Sequence, residues 1–262
     1  MEQVLADIYS NFPLFLLVFF RMTGLFILSP IFGRRNVPNH LKIGFSFLMA
    51  VIMMGTLSAD YSVDFINLYG FIFLAIKELL VGLILGYVTN LFFSAFILAG
   101  QIMDVQIGFG MAQVFDPQYN TQLPLMGNLM NLVALLVFFA LDGHHSLIRI
   151  LFETYGLIPP GTVMIQTPVY GRLVEIFITT FSMAVKISIP IMAAALLTEA
   201  ALGTMVRAVP QMNMFVVGIP LKIVLTLLVL LLFIPVYISF LGGTFDRMFD
   251  AIKGVLLRMG TA

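Results

Sequence analysis

Apolar residues run through this chain in long blocks of about 20 or more, the length an α-helix needs to cross a hydrocarbon core roughly 30 Å thick. The first block, residues 12–32, ends at the basic run GRRNVPNHLK, and the second, 41–57, ends at SADYSVD. From 65 to 102 the chain is apolar for 38 residues, broken only by Lys77 and Glu78. That is too long for one upright span and too short for two with a loop, so it predicts a long tilted or kinked helix, or a tight helical hairpin. A fourth block at 129–141 leads into an amphipathic run closed by Pro159, Pro160 and Gly161. The fifth, 173–202, holds Glu175, Lys186, Pro190 and Glu199, and the sixth, 214–241, holds Pro220 and Lys222. In the tail, Met248, Phe249, Ile252, Val255 and Leu256 recur at helical spacing, which predicts a short amphipathic helix. The blocks are not the short alternating segments of an outer-membrane barrel. The expectation is an all-α, multi-helix integral membrane protein forming one unit: N-terminal helices over 1–103, a non-helical segment over 104–127, C-terminal helices over 128–241 and an amphipathic tail over 242–262.

Charge gives an orientation. Arg34, Arg35 and Lys42 make the densest basic loop, which the positive-inside rule places in the cytoplasm, with acidic Glu2 and Asp7 on the other side together with Asp60 and Asp64. The first eleven residues hold no Lys or Arg, so they lack the basic region of a cleavable signal peptide and the first apolar block is expected to be retained. Composition fits the same class: of 262 residues 61% are hydrophobic and 10% charged, and mean hydropathy is +1.07. Thirteen basic and thirteen acidic residues cancel and are scattered singly, so nothing points to nucleic acid. The chain has no cysteine, which excludes disulfides, thiolate metal sites and cysteine nucleophiles.

Charges inside apolar blocks need a partner, since each costs on the order of 3 kcal/mol at the bilayer centre by insertion scales. Arg21 could line a conduit or pair internally, and an ion pair is the favoured reading. Lys77 and Glu78 are neighbours pointing about 100° apart on a helix, so each is expected to find a mate elsewhere. Glu199 and Arg207 lie too far apart to pair on one helix; with Lys222 they are expected to form tertiary or intersubunit pairs. Gly82 and Gly86, like Ala95 and Ala99, are four apart and allow close helix approach. Asp142, His144 and His145 in LDGHHSL resemble a metal or acid-base cluster at first glance. A turn or a helix start with Asp142 as N-cap explains them better, since adjacent histidines point different ways and no HExxH-type spacing accompanies them. No nucleophile, dinucleotide or nucleotide-binding motif stands in the chain, so no catalytic residue, cofactor or metal is assigned.

One segment breaks the helical pattern: QIGFGMAQVFDPQYNTQLPLMG, residues 106–127. Gly108 and Gly110 permit unusual backbone angles, while Pro117 and Pro124 disfavour a continuing helix. Irregular backbone at membrane depth is tolerated where protein encloses it or where it lines an aqueous cavity. The residues alone leave open an ordinary connecting loop whose aromatics pack on their own protein. Asp116 before Pro117 reads as a turn anchor.

The polar landmarks, taken in order, resemble the FliR family of flagellar export-gate proteins and its injectisome relatives of the SctT, SpaR and YscT kind. The likeness is carried by RMTGLFILSPIFGRRNVPNHLK (21–42), KELLVGLILGY (77–87), GQIMDVQIGFGMAQVFDP (100–117), LDGHHSLI (141–148) and EAALGTMVRAVPQMNMFVVGIPLK (199–222), and spans essentially the whole chain. It implies a non-enzymatic subunit that assembles with FliP and FliQ, beside FlhB and FlhA, into a channel for unfolded flagellar proteins at the centre of the basal body in the bacterial inner membrane. Helices that look transmembrane are, in this family, bent hairpins packed on neighbouring subunits. It also implies that residues 108–117 are the pore plug, with Gly108, Phe109, Gly110, Met111, Val114, Phe115, Asp116 and Pro117 in it. Hydrophobic constrictions seal by excluding water, and Met111 makes a deformable contribution to such a seal. The alternatives are the injectisome counterpart or a stand-alone secondary transporter, which would show internal inverted repeats and paired broken helices.

Overall fold

From Leu68 onward the long apolar block resolves the choice its length posed: it forms a single 40-residue helix, Leu68–Ile107, not a hairpin. The computed structural model describes residues 2–33, 37–57, 67–109, 124–163, 167–209 and 214–260. In order the elements are α1 (Glu2–Leu28), α2 (Asn39–Met54), α3 (Leu68–Ile107), α4 (Leu125–Ala140), α5 (Gly143–Leu157), α6 (Thr167–Ala208), a π-helical turn at Met214–Gly218, and α7 (Ile219–Gly260). Among the described residues there is no strand. The protein is all-α, with helices apolar enough and long enough to be those of a membrane protein.

Six hydropathy blocks do not become six spans. Among the described residues four helices pass the length test for crossing a membrane, or five spans if α4 and α5 count as one broken span. The second and fourth blocks form helices of only 16 residues, about 24 Å at 1.5 Å per residue and short of a hydrocarbon core. Hydropathy registers apolar composition, which a helix too short to span shares; α2 leaves Leu41, Ile43, Phe47 and Leu48 exposed. The tail also departs from expectation. It is no separate short helix, because α7 runs 42 residues to Gly260, through Pro235 and without a break at residue 242. Its expected stripe is nonetheless the packed one: Met248, Ile252, Val255 and Leu256 are buried, and Phe249 is half-buried.

The chain divides into two compact units. One comprises Met1–Leu91, Asp142–Phe177 and Asp246–Ala262, the other Phe92–Leu141 and Ile178–Phe245, so α3, α6 and α7 contribute to both. In the first, α1 meets α3 through glycines. A Cβ on Gly82 would run into the Arg21 carbonyl, one on Gly24 into the Leu79 carbonyl, and one on Gly86 would lie 2.9 Å from the Leu25 carbonyl. The small-residue spacing at 82 and 86 is thus used inside the chain, and it brings two backbones into contact. Asn90 Nδ2 donates to the carbonyl of Leu28 at 3.2 Å, capping the end of α1 from α3. Phe47 of α2 sets its edge against Phe15 and Phe19, and Phe45 joins Phe26 and Phe32.

In the second unit, Phe93 and Phe96 of α3, Phe138 of α4 and Phe245 of α7 form a ring cluster with centroids 5.2–6.1 Å apart. Tyr237 completes it and donates from Oη to the Met130 carbonyl at 3.1 Å. Such edge-on aromatic contacts add about 0.5–1.5 kcal/mol per pair beyond area burial. Outward faces are another matter. Along α6, Val174, Ile178, Phe181 and Ile189 are exposed, and along α7 so are Val224, Leu228, Leu231 and Leu232. These faces run for many turns with scarcely a charge, which is lipid-facing or partner-facing composition.

Candidate functional site

The first unit holds a polar centre built around a wholly buried cation. Arg21 of α1 donates from Nε to Glu78 Oε2 of α3 at 2.6 Å, and both side chains are completely buried. Its other nitrogens donate to Thr154 Oγ1 at 3.0 Å and to the Ile158 carbonyl at 3.1 Å. The guanidinium lies over the ring of Tyr155, 4.3 Å from the centroid. The second oxygen of Glu78 accepts the backbone N–H of Gly161 at 2.8 Å. One ion pair therefore ties α1, α3, the end of α5 and the Pro159-Pro160-Gly161 turn, and each charge has hydrogen bonds beyond its partner, which a buried pair requires to offset desolvation.

Gly161 has φ +84°, the left-handed region that glycine alone enters without penalty. A Cβ there would meet only Leu74 at an ordinary 3.8 Å. Replacing Gly161 with alanine is therefore expected to destabilise by backbone strain alone, about 1–2 kcal/mol, measurable as a lowered thermal midpoint of the purified protein with its helical content unchanged.

The remaining charges in apolar blocks are placed differently. Lys77 turns away from Glu78 and sets its ammonium over the ring of Phe73, 4.8 Å from the centroid. Lys222 of α7 donates to Glu199 of α6 at 3.0 Å, half of this pair being exposed. Arg207 stands exposed near the end of α6, two turns beyond Glu199. An exposed pair is worth at most about 1 kcal/mol in water.

In the second unit, α3 stops at Gly108, whose φ is +98° and whose N–H donates to the Asp104 carbonyl at 3.2 Å. Phe109 follows, half-buried. Gly110, Met111, Val114, Phe115, Asp116 and Pro117 lie outside the described residues. The chain returns at Pro124, which occupies the N-cap position of α4 and has no side chain able to cap it. Asp104 supplies that cap from α3: its carboxylate oxygens accept the N–H of Met126 at 2.9 Å and of Gly127 at 3.3 Å. Sequence reasoning passed over Asp104. The signal was available, since a helix opening on Leu123-Pro124, with no Ser, Thr, Asp or Asn at the N-cap, draws its acceptor from elsewhere.

Asp142 does sit at the N-cap position of α5, but it does not cap the helix with its side chain. Its backbone is left-handed, φ 54°, and its carboxylate meets His145 Nδ1 at 3.3 Å. The rings of His144 and His145 lie with centroids 4.0 Å apart, contrary to the expectation that they diverge. One potential ligand atom from each of Asp142, His144 and His145 lies within 4.8 Å of the others. The Asp142–His145 contact brings two of the three together, both side chains being about 70% exposed.

These polar side chains hold helices and helix ends together. Residues 12–248 match the family described as bacterial export proteins, family 1. The chain is similar to the flagellar biosynthetic protein FliR of Bacillus subtilis, 35% identical over 98% of this chain and 99% of that one. It is also similar to FliR of Aquifex aeolicus, 29% identical over 91% and 92% of the two chains, and to FliR of Escherichia coli, 26% identical over 90% of each. A family match across nearly the whole chain, with a relative of the same length at 35% identity, decides the assignment: the chain belongs to the FliR family of bacterial export proteins.

Proposed function

We propose that this protein is a subunit of the flagellar type III export gate, forming with FliP and FliQ the channel that passes unfolded flagellar proteins across the bacterial inner membrane. The observation that carries the reading is its full-length similarity to flagellar biosynthetic proteins named FliR. The helix surfaces support it. Only 17% of the most apolar stretch of α7 is buried within the chain, leaving a surface suited to neighbouring subunits and lipid. FlhB and FlhA are the further partners, energy for transport is supplied outside this chain, and the site of action is the centre of the basal body. Residues 108–117 serve as the plug. Phe109, Met111, Val114 and Phe115 supply its water-excluding bulk, Gly108 and Gly110 its backbone freedom, and Asp116 with Pro117 its turn. Arg21, Glu78, Glu199 and Lys222 hold the subunit's helices in the arrangement the gate needs, Lys77 and Arg207 are its remaining contributions to assembly, and Gly82 and Gly86 fit α1 against α3.

Purification of the tagged protein from its native membrane is expected to bring down two other small membrane subunits in unequal ratio. Recovery of a single polypeptide that moves a small solute when reconstituted alone would overturn the assignment in favour of a secondary transporter. In the assembled complex, deletion of residues 109–114 is expected to raise closed-state ion conductance; no increase with assembly intact would remove the plug from the reading.

A further inference from the structure

We propose that Lys186 anchors an interface with a helix of a neighbouring subunit, which brings an aspartate or glutamate carboxylate to it at the middle of the membrane. The inference deepens the gate reading above, from which the neighbouring subunits come. Lys186 is the eleventh residue of the 23-residue stretch 176–198, which holds no other charge and is bounded by Glu175 and Glu199. A helix needs about 20 apolar residues to cross a hydrocarbon core. The parts on either side of Lys186, residues 176–185 and 187–198, are each too short for that, so any span made by α6 carries Lys186 close to its mid-plane. At 1.5 Å per residue the charge stands about 15 Å from one end of the stretch and about 18 Å from the other.

The acids that bound the stretch are paired within the chain, Glu175 with Arg172 at 2.7 Å and Glu199 with Lys222 at 3.0 Å. Arg21, the cation of α1, is paired as well. Lys186 is exposed and has no ion-pair or hydrogen-bond partner among the described residues. Its own helix adds a second polar group at the same level. Pro190, inside α6, carries no N–H, so the Lys186 carbonyl lacks the donor that the residue four positions on ordinarily supplies.

Lipid, water or protein can meet such a group, and the surroundings decide among them. Snorkelling brings a lysine to the headgroups from near a helix end, not from the centre of a span. A face that lines water is polar, whereas Ile189 and Leu197, which share the face of Lys186 at helical spacing, are exposed and apolar. Protein remains. Ser182 and Ala193, one turn before and two turns after Lys186 on that face, are exposed and small, and let another helix backbone approach closely. A cation in such a dry contact needs an opposite charge, and a carboxylate supplies it with charge-assisted hydrogen bonds.

The test uses the assembled complex in its native membrane. A photoreactive benzoylphenylalanine in place of Ile189, one turn from Lys186, is expected to crosslink to a different polypeptide at a segment holding Asp or Glu within one helical turn. Crosslinks to lipid alone, to this same chain, or to a segment with no acid would overturn the interface. Lys186→Glu is expected to lower recovery of the complex about tenfold or more, because it sets like charges face to face, and Lys186→Met to lower it less. Changing the crosslinked acid of the partner to lysine should restore recovery with Lys186→Glu, a rescue that a chain unable to fold would not show. Equal recovery of the glutamate and methionine variants would overturn the carboxylate. The chain has no cysteine, so Lys186→Cys reports access cleanly. Slow reaction with a membrane-impermeant maleimide is expected in the complex, and ready labelling would overturn the dry contact. A chain that purifies without other subunits sinks the gate reading together with this interface, whereas an intact complex whose residue 189 meets only lipid sinks the interface and leaves the gate reading standing.

Discussion

Replacing Glu78 with alanine is expected to remove most of the folded protein from the membrane, because it leaves Arg21 charged, wholly buried and without a counter-ion. Breaking a buried pair by deleting one partner costs about 3–5 kcal/mol, against a total stability of about 5–15 kcal/mol for a typical domain. The loss extends past the pair. Gly161 N–H donates to Glu78 at 2.8 Å, so the same substitution orphans a backbone donor at the turn that follows α5. Glu78→Gln keeps the shape and one acceptor and should be less severe, while Arg21→Ala should resemble Glu78→Ala because it strands the carboxylate. The informative variant is the double replacement Arg21→Met with Glu78→Leu. Apolar side chains of similar volume often substitute for a buried pair without loss, so it should recover much of the stability that either single truncation removes. Recovery should be incomplete, since Thr154, the Ile158 carbonyl and the Gly161 N–H each lose a partner. Steady-state level in the membrane and the thermal midpoint of the purified complex measure both effects. Wild-type values for Glu78→Ala would show that the pair holds nothing.

Hydropathy made the fold class legible and narrowed the central block to a long helix or a hairpin, since an unrelieved apolar run has few other structures open to it. It failed where short and long helices share a composition. Residues 41–57 and 129–141 looked like spans and form 16-residue helices, and residues 242–262 looked separate because their amphipathic period differs from that of the apolar run before them. A change of period marks a change of surroundings, not an end of hydrogen bonding, so α7 continues through it. Among the polar residues, Arg21 and Glu78 were legible as groups needing partners but not as partners of each other. They are 57 positions apart, and periodicity within one helix carries no information across such a distance. Asp104 escaped attention for a related reason: an acid in a helix's last turn looks incidental until the start of the next helix is placed against it. His144 and His145 misled in the opposite direction: ideal helix geometry separates neighbouring side chains, but these follow a left-handed residue at 142 and their rings lie within 4.0 Å of each other.

Gly82→Ala, a change of one methyl group, is expected to rival Glu78→Ala in severity. The added carbon would collide with the carbonyl of Arg21 and lie 2.9 Å from the Leu25 nitrogen, and every atom it meets belongs to the backbone of α1. No side chain can rotate away, so α1 must move as a body. Overpacking of this kind costs about 1–3 kcal/mol, and more where the surroundings cannot adjust. Here the adjustment has a second consequence. Glu78 lies one turn before Gly82 on the same face of α3, so a shift of α1 that relieves the methyl group also draws Arg21 from its 2.6 Å contact with Glu78. The collision and the ion pair are thereby coupled. Combining Gly82→Ala with Glu78→Gln should cost less than the sum of the two single changes, because the displaced helix has already lost what the glutamine removes. Gly44→Ala on α2 is the control: a Cβ there has nothing within 4 Å, and alanine favours a helix over glycine by up to about 1 kcal/mol, so that variant should be neutral or slightly stabilised. Equal behaviour of the two alanines, or strict additivity with Glu78→Gln, would mean that the α1–α3 crossing gives way without disturbing the charge centre.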